Sequence, residues 1–213
     1  MRAFLLSLPL ALSMLSTGQC AGIHALQTYA GADGGILLAS FSTVGSSAVA
    51  LVLAPADNSD PGKVWQIYGA PRFMSKGDFS EHLDEAAARK LPAPPPQFFT
   101  PMDIPGVVRT FRIAPGRYHI SQFNVSSSGC LPTYCMTIDS PGDANIDFEI
   151  IPGRVTYLGR FVGLPGYVMT PDGHYQMVGW RPYRFDRRQE DEETALRKGE
   201  ISPEQVAPGD LNR

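Results

Sequence analysis

Pro-Gly pairs punctuate this chain at 105–106, 115–116, 141–142, 152–153 and 165–166, several of them 10–13 residues apart. Proline pre-sets φ for the first corner of a turn and glycine accepts positive φ at the second. Turn signals at that interval limit the intervening runs to strand length, the pattern of an all-β domain. Two of the pairs extend to Pro-Gly-Arg before an apolar, aromatic run, at "PGRYHI" (115–120) and "PGRVTYLG" (152–159). With 19 prolines and 21 glycines in 213 residues, long helices have little room.

The runs between the punctuation read as strands. Ile146, Phe148 and Ile150 alternate with Asp147 and Glu149, which predicts one buried and one wet face. Val155, Tyr157, Gly159 and Phe161 share a parity in the next run. Pro171-Asp172-Gly173 is expected to join two strands as a hairpin. Near the start, "ILLASFSTVG" and "SSAVALVLAP" are mostly apolar and meet at Gly45-Ser46-Ser47, which predicts a largely buried β-hairpin. "KVWQIYG" (63–69) is a further short strand.

Two segments look helical. In "DFSEHLDEAAARKL" (78–91), Asp78 and Glu81 have capping-box spacing, and Phe79, Leu83 and Leu91 fall on one helical face. Pro92 and Pro94-Pro95-Pro96 then stop the helix with a stiff connector. After Tyr183, "RFDRRQEDEETALRKGE" places acids first, Arg197-Lys198 last and then Gly199, matching helix-dipole and C-cap preferences. Its few apolar residues predict a solvated helix in a charged tail. Ser202-Pro203-Glu204-Gln205 is a second helix start.

The N-terminus has Arg2 followed by an apolar run from Ala3 to Leu15, broken only by Ser7 and Ser13. That is short for a membrane span and fits a cleaved secretory signal over residues 1–20. The expected organisation is a signal, a β-domain over 30–185 with helix 78–91 and connector 92–96, and a charged tail over 186–213. Export makes the redox environment permissive, so Cys130 and Cys135 are expected to close a small disulfide loop. Cys20, the third cysteine, is the lipidation candidate. Gln19 departs from the small residue a lipoprotein signal carries there, so lipid anchoring and removal with the signal both stay open.

The net charge of −3 gives no broad basic field for nucleic acid, and a membrane would be met only through an anchor at Cys20. His24, His82, His119 and His174 have no ligand spacing, and no metal or cofactor is expected. The serine runs lack a nucleophile elbow, so no catalytic residue is assigned. Pro-Gly-Arg precedes a strand instead of a helix, so it reads as a turn and not a phosphate loop. The binding candidates that survive are Arg117 and Arg154 at the turns, and Trp180 and Tyr183 as an aromatic rim for a small ligand or an envelope protein partner.

The segments "GGILLASFS" (34–42), "IAPGRYHISQFNV" (113–125) and "FEIIPGRVTYLGRF" (148–161) resemble a group of uncharacterised exported bacterial proteins, many of them lipoproteins. The resemblance spans about 34–185. It implies a small β-sandwich similar to transthyretin-like or carboxypeptidase-regulatory-like domains, and it implies no catalytic residues; with the residue pattern, the expected fold is a single antiparallel β-sandwich with one covering helix. Gln19 and the proline-rich stretch at 92–96 depart from the group. Residues and resemblance together predict a non-enzymatic cell-envelope module; the competing expectation is a secreted hydrolase with no recognisable motif.

Overall fold

A computed structural model describes residues 24–25, 28–43, 47–56, 65–69, 77–91, 101–127, 137–139 and 145–206. The protein is mainly β, built on two sheets. In chain order the strands are β1 (His24–Ala25), β2 (Gly35–Thr43), β3 (Ser47–Pro55), β4 (Trp65–Gly69), β5 (Phe79–Leu83), β6 (Met102–Ile113), β7 (Gly116–Ser127), β8 (Thr137–Asp139), β9 (Ile146–Ile150), β10 (Val155–Met169) and β11 (Tyr175–Phe185). The helices are α1 (Glu85–Arg89) and α2 (Arg188–Arg197), followed by a 3-10 turn at Pro203–Gln205.

One sheet runs β1-β4-β3-β7-β8, with β9 also paired to β7; the other runs β11-β10-β2-β6-β5. Neither sheet is wholly antiparallel as expected, because β1 lies parallel to β4 in the first and β10 parallel to β2 in the second. The main core draws on both sheets: Leu37, Ala39, Phe41 and Phe161 from one, and Leu51, Leu53, Ile120 and Phe123 from the other. All nine residues of β2 are buried. Its odd positions enter that core, while Ile36 and Leu38 join a separate cluster on the opposite face of the sheet.

Both long runs near the start are strands, as read, yet they do not form a hairpin. The ladders of β2 are to β10 and β6, and those of β3 to β4 and β7. A strand apolar on both faces carries no parity signal to choose its partner. The hairpin across 171–173 is present, with β10 and β11 antiparallel and Gly173 at φ +82°. The pair at 152–153 also turns the chain: Arg154 N donates to Ile151 O at 3.2 Å and Gly153 sits at φ +66°. By contrast, Pro105-Gly106 and Pro165-Gly166 run inside strands. The ladders of β2 end at Gly106 on β6 and at Gly163 on β10, so each proline stands where its strand has lost that neighbour.

The helix expected over 78–91 is corrected to a strand and a short helix. Phe79, Glu81 and Leu83 point inward while Ser80 and His82 are exposed, a period of two along an edge strand paired with β6. The N-cap is Asp84, whose Oδ1 accepts from Ala87 N at 2.7 Å. Asp78 instead accepts from Val108 N on β6. Tertiary pairing overrides local helix preference here.

The tail is corrected as well. α2 forms where read and closes with a Schellman cap, in which Gly199 N donates to Leu196 O and Glu200 N to Ala195 O, with Gly199 at φ +69°. It is not solvated: Asp191, Glu192, Thr194 and Ala195 are buried. Ala195, Ile201 and Val206 pack on Ile36, Leu38 and Val108, covering the sheet face opposite the main core. The second helix start yields only the 3-10 turn, with Ser202 N donating to Gln205 Oε1 at 2.8 Å. The signal segment, Cys20, the connector 92–96, Cys130 and Cys135 lie outside the described residues.

Candidate functional site

The site grows from a β-bulge. The β10–β2 register passes from Tyr157↔Leu38 to Gly159↔Ala39, which leaves Leu158 as the extra residue. The bulge reverses side-chain parity. Val155 and Tyr157 face the α2 side, Leu158 enters the main core, and past the bulge Phe161 enters that core while Val162 packs on the α1 side. The shared face expected for Tyr157 and Phe161 is therefore split, and Arg160 is turned under α2.

Arg160 is 2% exposed. Its Nη2 lies 2.6 Å from Asp191 Oδ1, and Asp191 is fully buried. Nη1 pairs with Glu81, Nη2 also lies 3.2 Å from Glu190, and the guanidinium sits 3.8 Å above the Phe79 ring. Glu81 and Phe79 come from β5, three positions away from β10 in the sheet. Three flat strand spacings would be about 14 Å, so direct contact requires the sheet to curl and carry its edge strand back over Arg160. Ser40 Oγ and Tyr157 Oη both donate to Asp191 Oδ2, at 2.6 and 2.8 Å, and Arg187 Nη2 donates to Glu81 Oε1 at 2.8 Å.

Each buried charge of the cluster faces an opposite one. Burial pushes the Glu81 carboxyl up, but the Arg187 and Arg160 hydrogen bonds outweigh it and hold the group below its ordinary value. Burial works against the charge on Arg160, and Asp191 and Glu81 more than offset it. Burial and the Asp191 charge raise the Tyr157 hydroxyl far above the usual phenol range, so it stays a donor. A second tie holds the far end of α2: Lys198 Nζ donates to Asp78 Oδ2 at 3.0 Å and to Val108 O at 2.9 Å, and lies 2.8 Å from Glu200.

Beside this cluster lies an open hollow of about 340 Å³ lined by Tyr157, Gly159, Arg184, Phe185, Asp186 and Arg188. Tyr157 belongs to both features. Its hydroxyl is held by Asp191 and by Arg187 N (3.1 Å), while Arg188 stands over its ring at 5.7 Å. Arg184 lies across the bulge, with Nε donating to Leu158 O at 2.7 Å. Gly159, at φ +128°, makes room for it, since a Cβ there would come within 2.7 Å of Arg184 Nε.

The candidates read from sequence are not brought together. Arg117 is exposed and sits opposite Glu149 in the β7–β9 ladder, so a carboxylate faces it. Arg154 is exposed at the turn after β9. Tyr183 is 8% exposed and packs with Leu83, Ile104 and Leu164, which takes it off the rim expected for it. Trp180 is described only by its backbone pairing with Pro165. Sequence reasoning missed Arg160, Glu81, Asp191 and Arg184, whereas Tyr157 and Phe185 were among the aromatics it considered for a recognition surface. One signal was available: Arg160 is the only charge in the 15 residues of β10.

His82 and His119 each sit against a surface aspartate, Asp103 and Asp147, at 2.8 and 2.7 Å. Among the described residues no three His, Cys, Asp or Glu side chains are grouped to hold a metal ion, and no helix is long and apolar enough to cross a membrane. Neither a protein-family model, nor a curated protein, nor a solved structure matches the chain.

Proposed function

We propose that this chain is an exported, non-enzymatic cell-envelope protein, a β-sandwich module that seats a small ligand in the hollow at the start of α2. The shared core of the two sheets supports the sandwich. One observation carries the binding role: the walls of the hollow are fixed before any ligand arrives. Tyr157 is anchored through its hydroxyl by Asp191, Arg184 is clamped to Leu158 O, and the first turn of α2 is tied to the sheet through Arg160. Such preorganisation removes much of the ordering cost of binding. Ring faces and guanidinium groups are means of holding a ligand.

The test is protein-observed NMR of the mature chain against a fragment library and a small-molecule extract of the envelope. Binding should shift the amides of Tyr157, Gly159, Arg184 and Phe185 and leave the ligand chemically unchanged. Shifts confined to other surfaces would contradict the site. A ligand converted to product in the tube would replace this reading with the secreted hydrolase.

A further inference from the structure

We infer that the ligand of this hollow is a small organic anion that presents a carboxylate or phosphoryl group. The inference rests on the reading of the hollow as a ligand seat and specifies the chemistry of what sits there. Two guanidinium side chains, Arg184 and Arg188, line the space against one carboxylate, Asp186. Asp186 Oδ1 already accepts from Arg188 N at 3.2 Å, at the first residue of α2. Guanidinium groups thus outnumber carboxylates among the residues that line the hollow, in a chain whose net charge is −3.

Arg184 is placed for a two-point contact. Its Nε bond to Leu158 O fixes the guanidinium plane, and among the described residues no acceptor takes its two terminal nitrogens. Such a fork matches the oxygens of a carboxylate or phosphoryl group in geometry and charge. The lining is mainly polar, with Tyr157 and Phe185 as its aromatic members. A volume of about 340 Å³ is near the small end of ligand pockets, which suits a body of about one ring. The bulge glycine completes the arrangement, because any side chain at 159 would push Arg184 away.

The experiment titrates benzoate, phenyl phosphate, benzamide and benzylamine into the isotope-labelled mature protein. Benzoate and phenyl phosphate should shift the amides of Gly159, Arg184 and Phe185. Benzamide, a neutral match for benzoate in shape, and cationic benzylamine should bind at least about 10-fold more weakly. Arg184→Gln should weaken both anions by about 10- to 100-fold and leave benzamide unchanged. Arg184→Lys, which keeps the charge and loses the fork, should fall between them.

Benzamide binding as tightly as benzoate at the same amides would overturn the anion inference and leave the hollow standing as a binding site. Benzylamine binding more tightly would do the same. No response at these amides to any probe would also overturn the inference, and the library screen would then decide the wider reading. A weakening of all four probes alike in Arg184→Gln would assign the arginine to wall structure and not to anion recognition.

Discussion

Replacing Arg160 with methionine keeps most of the side-chain volume and removes the charge on which Glu81 and Asp191 converge. Removing one partner of a buried ion pair costs about 3–5 kcal/mol, because the other charge is stranded. Here the loss belongs at the low end, about 3 kcal/mol. Glu81 keeps Arg187, and Asp191 keeps the Ser40 and Tyr157 hydroxyls. For a chain of this size that corresponds to a fall in Tm of about 6–12 °C, read by circular dichroism together with urea unfolding. Adding Asp191→Asn to Arg160→Met leaves a side-chain oxygen for the two hydroxyls but no stranded charge. The double variant should therefore recover at least about 1 kcal/mol relative to Arg160→Met, a coupling that a double-mutant cycle isolates. A loss below about 1 kcal/mol for Arg160→Met, or strict additivity with Asp191→Asn, would refute the reasoning.

Glu81 lies below its ordinary value of 4.5 in the folded protein. Its contribution is thus fully present above that value and is lost as pH falls through the lower folded-state pKa; Glu81→Gln should flatten the acid limb of a stability–pH curve in that window. Ile201→Ala should cost about 2–4 kcal/mol if the segment after α2 is core, against less than about 0.5 for a solvated tail, as urea unfolding would distinguish. If the signal reading holds, intact mass of the protein isolated from its own cells should place the mature N-terminus at Cys20 with acyl chains or beyond it without them; a chain retaining Met1 would overturn that reading.

Much of the β architecture was legible because single faces alternate. Ile146, Phe148 and Ile150 against exposed Asp147 and Glu149 read correctly, and so did the turn at Pro152-Gly153 and the hairpin at 171–173. Strand pairing was not legible in β2 and β3, where both faces are apolar and either partner satisfies the pattern. The segment around Glu81 failed for a different reason. Its residues suit a helix locally, but their partners Arg160 and Arg187 lie 79 and 106 positions away. The tail was misread because apolar anchors were weighed alone. α2 is held as much by Asp191 and Lys198 as by Ala195 and Ile201, and a buried acid looks the same in sequence as an exposed one. The hollow was hidden because the bulge that creates it changes the parity on which strand reading depends.

The claim that α2 is an integral layer of the fold, fastened to the sheet by the buried Arg160 cluster, is tested most directly by hydrogen exchange. The amides of Asp191 and Lys198 donate within the helix to Arg187 O and Thr194 O. A helix of ten residues on its own is marginal in water. Protection of the 191–198 amides close to that of the β2 amides, reduced in Arg160→Met, is the predicted result. Exchange of those amides at the rate of an unfolded peptide, while β2 stays protected, would contradict it.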